Sequence, residues 1–253
     1  MKEIFEIEVK PNVLEIDEAG EIQFPPVINY LQLIAYEHAA NLGISFQQTY
    51  KEHLTWFLLR YYIEMKRYPL FEEQLTIKSW IAPSDNDRFS LREFEILDKN
   101  NEVICSASSS WILYHFIKRK QVDHIKRYSH LPVRDLRAVD YNYPKLSLPE
   151  KIDAQVQFTV RLSDLDLNNH VNNRVYVEWA IESMPSKYLK KYKIYKIEIS
   201  FKGQAFHQNT VTVETEIRKA KEDGIAFIAY HKISEAKKGN LLTKLITYWR
   251  EKK

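Results

Sequence analysis

The sequence contains little cysteine, little glycine and no long apolar run. Its single cysteine, Cys105, rules out an intramolecular disulfide and a multi-cysteine metal site, and it favours a reducing compartment. Glycine occurs 5 times in 253 residues and no segment has low complexity, which argues against disorder. No apolar run approaches the roughly 20 residues that cross a bilayer, and the start, MKEIFEIEVKP, lacks the apolar core of a signal peptide. We therefore expect a cytoplasmic protein with no membrane span.

Positive charge is small in sum but concentrated in two stretches. The net charge is +3, whereas residues 118–127, KRKQVDHIKR, hold five basic residues and one acid. Residues 186–196, SKYLKKYKIYK, hold five lysines and no acid. Either these stretches are solvated faces or they form a docking surface for an acidic partner. Nucleic acid is disfavoured as the partner, because the chain has no recognisable nucleic-acid-binding module and little net charge.

Two parts of the chain look alike at a spacing of nearly 140 residues, which is the mark of a duplicated unit. NEVICSASSSWIL, residues 101–113, aligns with GNLLTKLITYWRE, residues 239–251, and Trp111 matches Trp249. Alternating apolar residues predict several strands in each copy. These strands are 5–10, 55–65, 75–81, 90–97 and 103–113 in the first copy, and 156–162, 194–201, 210–218, 225–233 and 241–250 in the second.

Each copy also contains one helix before its main run of strands. The first, over 27–43, is apolar on much of its circumference and can end at Gly43. The second, over 174–184, is limited by Pro185. One helix followed by consecutive antiparallel strands predicts an α+β fold in which the sheet wraps the helix. We predict an N-terminal domain over 1–127, a linker over 128–151 and a C-terminal domain over 152–253.

One junction between strand and helix in the second copy is unusually polar. Residues 164–173, DLDLNNHVNN, contain two aspartates, four asparagines and one histidine. Asp166, Asn168 and His170 alternate, so an extended backbone would point all three side chains to one side. The helix begins near Asn172, where N–H groups without partners suit a developing oxyanion. An imidazole, a carboxylate and an amide beside a helix start predict an acyl-transfer site.

The first copy supplies an internal control for this polar cluster. Aligning YVE, residues 176–178, with YLQ, residues 30–32, sets the cluster against residues 18–27, EAGEIQFPPV, which hold no Asn, His or Asp. A cluster needed only to start the helix should occur in both copies, and a single N-cap asparagine would supply about 1 kcal/mol. We therefore expect a functional role, with a polar capping loop as the alternative.

Three other chemistries fit the cluster less well. DLDLNN begins like an EF-hand calcium loop, but Asn169 and Val175 stand where that loop needs Gly and Glu. A zinc site could use His170 and Asp166, although no second histidine lies nearby in the sequence. A cysteine–histidine nucleophile would need Cys105, on a predicted strand of the other copy, and we rank it last.

The segment SDLDLNNHVNNRVYVEW closely resembles the signature of acyl-acyl-carrier-protein thioesterases, and LTWFLLRYYIEMKRYP and SASSSWIL resemble the same family. The likeness covers nearly the whole chain. It implies a tandem double hot-dog fold, in which two antiparallel sheets each wrap a central helix. It implies hydrolysis of the thioester between a fatty acyl chain and acyl carrier protein in fatty acid biosynthesis, with no cofactor and no metal. The matching catalytic residues are Asp166, Asn168 and His170 in the second domain, with the acyl chain buried towards the first.

The resemblance also implies an acidic partner, because acyl carrier protein is strongly acidic. This favours the docking interpretation of the two basic stretches. A homodimer is left open, because the tandem repeat could replace the dimer that single hot-dog units form. The sequence indicates neither the preferred chain length nor the choice between carrier protein and coenzyme A. The predicted docking residues are Lys118, Arg119, Lys120, Lys187, Lys190 and Lys191.

One position departs from the family pattern. The family usually has a glutamate on the strand after the second helix, and Gln204 aligns with it in ISFKGQAFHQNTVTV. Ala205 stands beside it, where a cysteine mechanism would need its nucleophile, so that mechanism is excluded at this position. Gln204 is kept as a fourth site residue because an amide can still hold a water. The alternative function is a non-catalytic protein of the same fold that binds acyl carrier protein or acyl chains.

Overall fold

The computed structural model describes residues 3–84 and 86–252, which fold as two compact units. The first unit covers Met1–Asn142 and the second covers Tyr143–Lys253. Residues 1, 2 and 253, at the ends of the two predicted domains, lie outside the described residues. Among the described residues, no helix combines the length and the apolar character needed to cross a membrane.

The first unit contains one long helix and one antiparallel sheet. Its strands are β1 (Phe5–Val9), β2 (Leu54–Met65), β3 (Leu75–Ala82), β4 (Ser90–Leu97), β5 (Val103–His115) and β6 (Lys120–Val122). Its helices are α1 (Phe24–Asn41), α2 (Phe46–Tyr50) and α3 (His124–Arg127). The strand order is β1-β3-β4-β5-β2, with β6 paired to the end of β5. Helix α1 packs against β1 and β3, as expected for a helix wrapped by its sheet.

Helix α1 is fixed by its two ends and by its buried face. Pro25 and Pro26 occupy its first turn, where backbone N–H groups have no helical acceptor. The chain leaves the helix at Gly43, whose φ of +77° is a conformation that other residues rarely adopt. The helix begins at Phe24, three residues before the predicted start, because the two prolines add a first turn. Leu33 lies on its exposed side. The buried residues of α1 include Val27, Ile28, Leu31, Ile34, Ala35 and His38.

The second unit repeats this plan with a shorter central helix. Its strands are β7 (Ala154–Thr159), β8 (Tyr192–Phe201), β9 (Thr210–Lys219), β10 (Phe227–Glu235) and β11 (Leu241–Glu251). Its helices are α4 (Asn173–Glu182) and α5 (Ser186–Leu189), and a 3₁₀ turn covers Leu162–Asp164. The strand order β7-β9-β10-β11-β8 matches that of the first unit strand for strand. Helix α4 packs against β9, β10 and β11 and buries Val175, Tyr176, Val177, Trp179 and Ala180.

The matched tryptophans confirm the duplication at the level of single bonds. Trp111 Nε1 donates to Ser109 Oγ at 2.7 Å, and Trp249 Nε1 donates to Thr247 Oγ1 at 2.8 Å. In both units the acceptor is the hydroxyl two residues earlier on the same strand. A β-strand places residues i and i+2 on one face, which explains why this contact survives in each copy.

The segment predicted as a linker has no helix or strand between residues 128 and 151, but it is anchored. In the first unit, Trp80 Nε1 donates to the carbonyl of Leu136 at 2.7 Å. In the second unit, Lys244 Nζ donates to the carbonyl of Leu146 at 3.1 Å. The segment is therefore held to the units by its backbone.

Candidate active site

The polar cluster forms a closed turn at residues 165–171, whose two ends pair as an antiparallel bridge. The N–H of Asp166 donates to the carbonyl of His170 at 2.8 Å. One carboxylate oxygen, Asp166 Oδ1, accepts the N–H of Asn168 at 2.8 Å and that of His170 at 3.3 Å. Asn169 adopts a φ of +58°, which asparagine tolerates. The extended backbone expected here is therefore wrong, because the aspartate side chain caps a turn that reverses the chain.

The first unit contains the same turn at residues 16–22. The N–H of Asp17 donates to the carbonyl of Glu21 at 2.8 Å. Asp17 Oδ1 accepts the N–H of Ala19 at 2.9 Å and that of Glu21 at 3.1 Å. Gly20 takes the left-handed conformation with a φ of +73°. The bonds of the second-unit turn thus recur 149 residues earlier, the spacing from Asp17 to Asp166 (166 − 17 = 149).

The connection from turn to helix repeats at the same spacing. The carbonyl of Asp164 accepts the N–H of Asn172 at 2.9 Å, and the carbonyl of Glu15 accepts the N–H of Gln23 at 2.8 Å. Asn172 and Gln23 are the N-cap residues of α4 and α1. The alignment made from sequence, at a spacing of 146, is therefore wrong by three residues. Three residues is close to one helical turn, so both alignments keep the apolar positions of the helices in phase.

The polar cluster therefore has a counterpart in the first unit, and only its composition differs. Asp166 makes the bonds that its counterpart makes, so the turn itself requires a carboxylate at that position. Asn168 corresponds to Ala19, and His170 corresponds to Glu21. The turn forms with either side chain at these two positions. The amide and the imidazole are thus the features that the fold leaves unexplained.

Asn168 and His170 present their side chains at the surface of the turn. Asn168 is exposed, and His170 is half-buried with its ring edge-on to Phe206, 5.1 Å between ring centroids. Within residues 3–84 and 86–252, neither the Asn168 amide nor a His170 ring nitrogen has a protein hydrogen-bond partner. Both groups can bind a water or a substrate without first breaking a protein contact.

The start of α4 offers one backbone donor. Asn172 Oδ1 accepts the N–H of Arg174 at 2.9 Å, and the Asn172 carbonyl accepts the N–H of Val175 at 2.9 Å. The N–H of Asn173 has no acceptor in the described part of the chain. The oxyanion donors expected at the helix start therefore reduce to the N–H of Asn173.

A second segment, residues 202–209, is bound to the turn through Ala205. The N–H of Val171 donates to the Ala205 carbonyl at 3.0 Å, and the N–H of Ala205 donates to Tyr176 Oη at 3.1 Å. Burial raises the pKa of Tyr176 to about 12, with a smaller contribution from the negative charge of Asp166, so the phenol stays protonated. Tyr176 therefore positions this segment. It was missed because a tyrosine in an apolar helical pattern predicts only a core residue.

Gln204 precedes Ala205 and has an exposed side chain. It lies three residues beyond the end of β8, so it is a loop residue and not the strand residue that the resemblance implied. Its backbone lies beside the turn, because the next residue bonds to Val171.

Two family models match most of the chain. The acyl-ACP thioesterase N-terminal domain matches residues 2–128, and the acyl-ACP thioesterase C-terminal domain matches residues 149–251. The chain belongs to the acyl-ACP thioesterase family. The second match contains the turn, α4 and the segment that carries Gln204.

Curated relatives of the chain include plant proteins. The chloroplastic acyl-[acyl-carrier-protein] hydrolase FATB2 of Cuphea viscosissima is 27% identical over 241 residues, covering 89% of this chain and 58% of that protein. The chloroplastic oleoyl-acyl carrier protein thioesterase of Coriandrum sativum is 27% identical over 270 residues, covering 89% of this chain and 71% of that protein. The chain thus spans between about half and three quarters of the length of these relatives.

Solved structures show the fold. An acyl-ACP thioesterase from Bacteroides thetaiotaomicron superposes with a TM-score of 0.85 at 18% identity, covering 98% of both chains. The 12:0-ACP thioesterase from Umbellularia californica superposes with a TM-score of 0.87 at 21% identity, covering 98% of this chain and 94% of that one. The α+β, tandem double hot-dog fold expected from the sequence is confirmed.

The remaining site predictions concern the cysteine, metals and the basic residues of the chain. Cys105 is fully buried in β5, and burial raises the pKa of its thiol, which disfavours a nucleophilic role. Among the described residues, no group of three His, Cys, Asp or Glu side chains is placed to hold a metal ion. The predicted docking residues are all exposed: Lys118 and Arg119 between β5 and β6, Lys120 at the start of β6, Lys187 in α5, and Lys190 and Lys191 just after it.

Replacing Asn168 tests its function apart from the fold, because the first unit already has Ala19 at the equivalent position. We expect Asn168→Ala to change Tm by no more than about 2 °C, the scale for an exposed side chain whose amide has no protein hydrogen bond. We expect kcat for an acyl carrier thioester to fall about 10-fold, since one hydrogen bond to water or substrate is lost. Ala19→Asn is the matched control and should leave kcat unchanged. An unaltered kcat in Asn168→Ala would remove the amide from the site.

Proposed function

We propose that this acyl-ACP thioesterase hydrolyses fatty acyl-[acyl carrier protein] to free fatty acid and holo-acyl carrier protein in fatty acid biosynthesis. One observation supports this most: the same turn occurs in both units, but only the second presents an amide and an imidazole, at Asn168 and His170. They lie beside a helix start at which the N–H of Asn173 is available. The names of the plant relatives support the substrate class.

In the proposed mechanism, a water held by Asn168 attacks the thioester carbonyl carbon. His170 accepts the proton from this water as the C–O bond forms, and the N–H of Asn173 stabilises the oxyanion of the tetrahedral intermediate. The C–S bond then breaks, the carbonyl re-forms, and the thiolate of the carrier arm takes the proton back from His170. Asp166 has two tasks in this scheme: Oδ1 holds the turn, and its negative charge stabilises the imidazolium.

Gln204 belongs to the proposed site as a hydrogen-bonding amide, since it cannot act as a base. Gln204→Glu would add a carboxylate near Asp166, and neighbouring carboxyl groups ionise in coupled steps. We expect the rate of hydrolysis by Gln204→Glu to be higher than that of the unmodified protein. We also expect the acidic limb of its pH profile of kcat/KM to move to higher pH. The measurement is a pH profile of both proteins on one acyl carrier substrate. Superimposable profiles would place residue 204 outside the site.

Docking of the acidic carrier is assigned to the exposed basic residues, with Lys118, Arg119 and Lys120 as the first candidates. Changing these three to glutamate should raise KM for acyl carrier protein several-fold, and added salt should do the same to the unmodified protein. A short pantetheine thioester, which has no carrier surface, should be hydrolysed equally by both. If KM for the carrier substrate is unchanged, Lys187, Lys190 and Lys191 become the candidate docking residues.

The second candidate is a protein that binds acyl carrier protein or acyl chains without hydrolysis, and Gln204 in place of glutamate is the observation that favours it. The protein is incubated with acyl carrier protein that bears acyl chains of several lengths, and the release of the free carrier thiol is measured over time. This assay separates the two functions. Hydrolysis predicts thiol release with turnover. Binding alone predicts a stable complex and no thiol.

Four further parts of the proposal extend the sequence predictions. The acyl-chain side is assigned to the domain 1–127 and catalysis to the domain 152–253. A cytoplasmic location is proposed on the single, buried Cys105. A homodimer stays a prediction, to be tested by sedimentation of the purified chain.

A further inference from the structure

The sheet of the second unit ends in a strand with one free edge. Among the described residues, β7 pairs with β9 alone. The N–H of Val160, just after β7, donates to the carbonyl of Asn209, just before β9, at 2.9 Å. Because backbone groups alternate between the two sides of an antiparallel strand, the even-numbered residues of β7 bond to β9. The N–H and C=O groups of Gln155, Gln157 and Thr159 therefore point away from the sheet.

These outward backbone groups have no protein partner within residues 3–84 and 86–252. None of the three residues has a backbone hydrogen bond to another segment there, and all three are exposed. Gln157 Nε2 donates to Thr212 Oγ1 at 3.2 Å, but this bond lies on the face of the sheet and leaves its edge open. A row of exposed, unpaired N–H and C=O groups is a template for pairing with another strand.

The first unit carries charge at the equivalent edge. Glu6 and Glu8 of β1 correspond to Gln155 and Gln157 at the spacing found for the turns (155 − 6 = 157 − 8 = 149). Both glutamates are exposed. Charged side chains are a common device by which proteins block pairing at a free edge, and proline is another. The sequence of β7, AQVQFT, contains neither, so the two units share the edge and differ in its protection.

The free edge of β7 is complementary to itself. About a two-fold axis at Gln157, this residue faces Gln157 of a second copy, and Gln155 faces Thr159. Each facing pair exchanges two backbone hydrogen bonds, which gives a ladder of about six. In the same register on β1, Glu8 would face Glu8 of the second copy, and like charges directly opposite each other are destabilising. A two-fold pair occupies the edge of both copies, so assembly stops at a dimer.

We propose that β7 is the surface through which two copies of this chain form a homodimer, with antiparallel β7 strands joining the sheets of the two second units. The partner is a second copy because the outward groups of β7 match their own two-fold image and its side chains are uncharged. The homodimer is itself part of the proposed function, so this surface rests on that part and not on hydrolysis. One short strand from each copy makes a small interface, which predicts a weak dimer.

Sedimentation of the purified chain between about 1 and 100 µM measures association, and hydrogen exchange at the same concentrations locates the contact. We expect the mass to rise from 30.2 kDa towards twice that value. The N–H groups of Gln155, Gln157 and Thr159 should exchange at least about 10-fold more slowly in the dimer, because each then has an acceptor. The N–H groups of Glu6 and Glu8 should keep the same exchange rate at all concentrations.

Opposite charges at residue 157 test the register, because this residue faces itself across the two-fold axis. Gln157→Glu and Gln157→Lys, each alone, should weaken the dimer about 5-fold or more, since like charges are then opposed. An equimolar mixture of the two variants should form a heterodimer at least as tight as the unmodified homodimer. The same two changes at Gln47, an exposed glutamine of the first unit, should leave association unchanged.

Three results would overturn this surface. A chain that stays monomeric at about 100 µM would contradict both the homodimer and its location. A dimer whose β7 amides exchange as fast as those of the monomer would place the contact elsewhere. Single variants that do not associate, and that stay monomeric when mixed, would contradict the antiparallel pairing. All of these measurements are made without substrate, so their outcome is separate from that of the thiol-release assay.

Discussion

His170→Ala should lower kcat for acyl carrier thioesters by about 100-fold or more, the usual scale for removal of a general acid–base group. The imidazole is the only group in the proposed scheme that moves a proton from the water to the leaving thiolate. Its ring nitrogens have no hydrogen-bond partner in the described part of the chain, so its loss breaks no side-chain hydrogen bond and removes only the edge-on contact with Phe206. We therefore expect little change in the free energy of unfolding. The measurement is steady-state hydrolysis alongside denaturant unfolding.

The chain contains its own control for this variant. Glu21 occupies the position of His170 in the first-unit turn and gives the same backbone bonds to Asp17. Glu21→Ala, which changes the equivalent position of the first-unit turn, should leave kcat unchanged. A kcat close to normal in folded His170→Ala would exclude the proton-transfer role. Equal losses of kcat in both variants would instead indicate a structural effect of the turn.

The free energy of unfolding should fall steeply as pH decreases from 7 to 4.5, because of His231. This residue is fully buried on β10, 2.9 Å from Thr215 Oγ1 and 2.9 Å from Thr247 Oγ1. Burial lowers the pKa of His231 to about 3, whereas an unfolded histidine titrates near 6.5. Below pH 6.5 this histidine binds a proton in the unfolded state, whereas in the folded state it stays neutral. The stability contributed by neutral His231 is thus complete above pH 6.5 and lost as pH falls towards 3.

His231→Gln isolates this contribution, because glutamine can hydrogen-bond to the same threonines but does not titrate. Over two pH units below 6.5, linkage gives a difference of about 2–3 kcal/mol between the two proteins in their loss of stability. Denaturant unfolding at pH 7, 5.5 and 4.5 measures it, with His207→Gln as the exposed-histidine control. Parallel stability curves for His231→Gln and the unmodified protein would mean that His231 is protonated or solvated in the folded state.

Much of the fold could be predicted from periodicity, because long strands and buried helices impose it on the sequence. Each of the predicted strands is present, with ends displaced by no more than three residues. The elements that escaped prediction are short, such as α3 and α5 with four residues each. A segment of one turn makes few side-chain contacts, so it leaves no periodic signal.

The residue types in the sequence located the candidate site, but they did not predict its backbone conformation. The residue types of Asp166, Asn168 and His170 indicated an unusual junction, yet their alternation predicted an extended chain. The structure has a turn, because Asp166 Oδ1 binds two backbone N–H groups, an alternative that spacing alone cannot distinguish. The predicted alignment of the two copies was wrong for a similar reason, since a shift of three residues keeps the apolar positions of a helix in phase.

Water attack on an acyl carrier thioester is the central claim, and mass spectrometry in H₂¹⁸O tests it most directly. The purified chain is incubated with acyl carrier protein bearing a fatty acyl chain, and the masses of both the carrier and the fatty acid are measured. Hydrolysis as proposed predicts holo-carrier lacking the acyl mass and fatty acid containing one ¹⁸O. His170→Ala should leave the carrier acylated over the same period. A carrier that stays acylated while it forms a stable complex with the unmodified chain would contradict the claim.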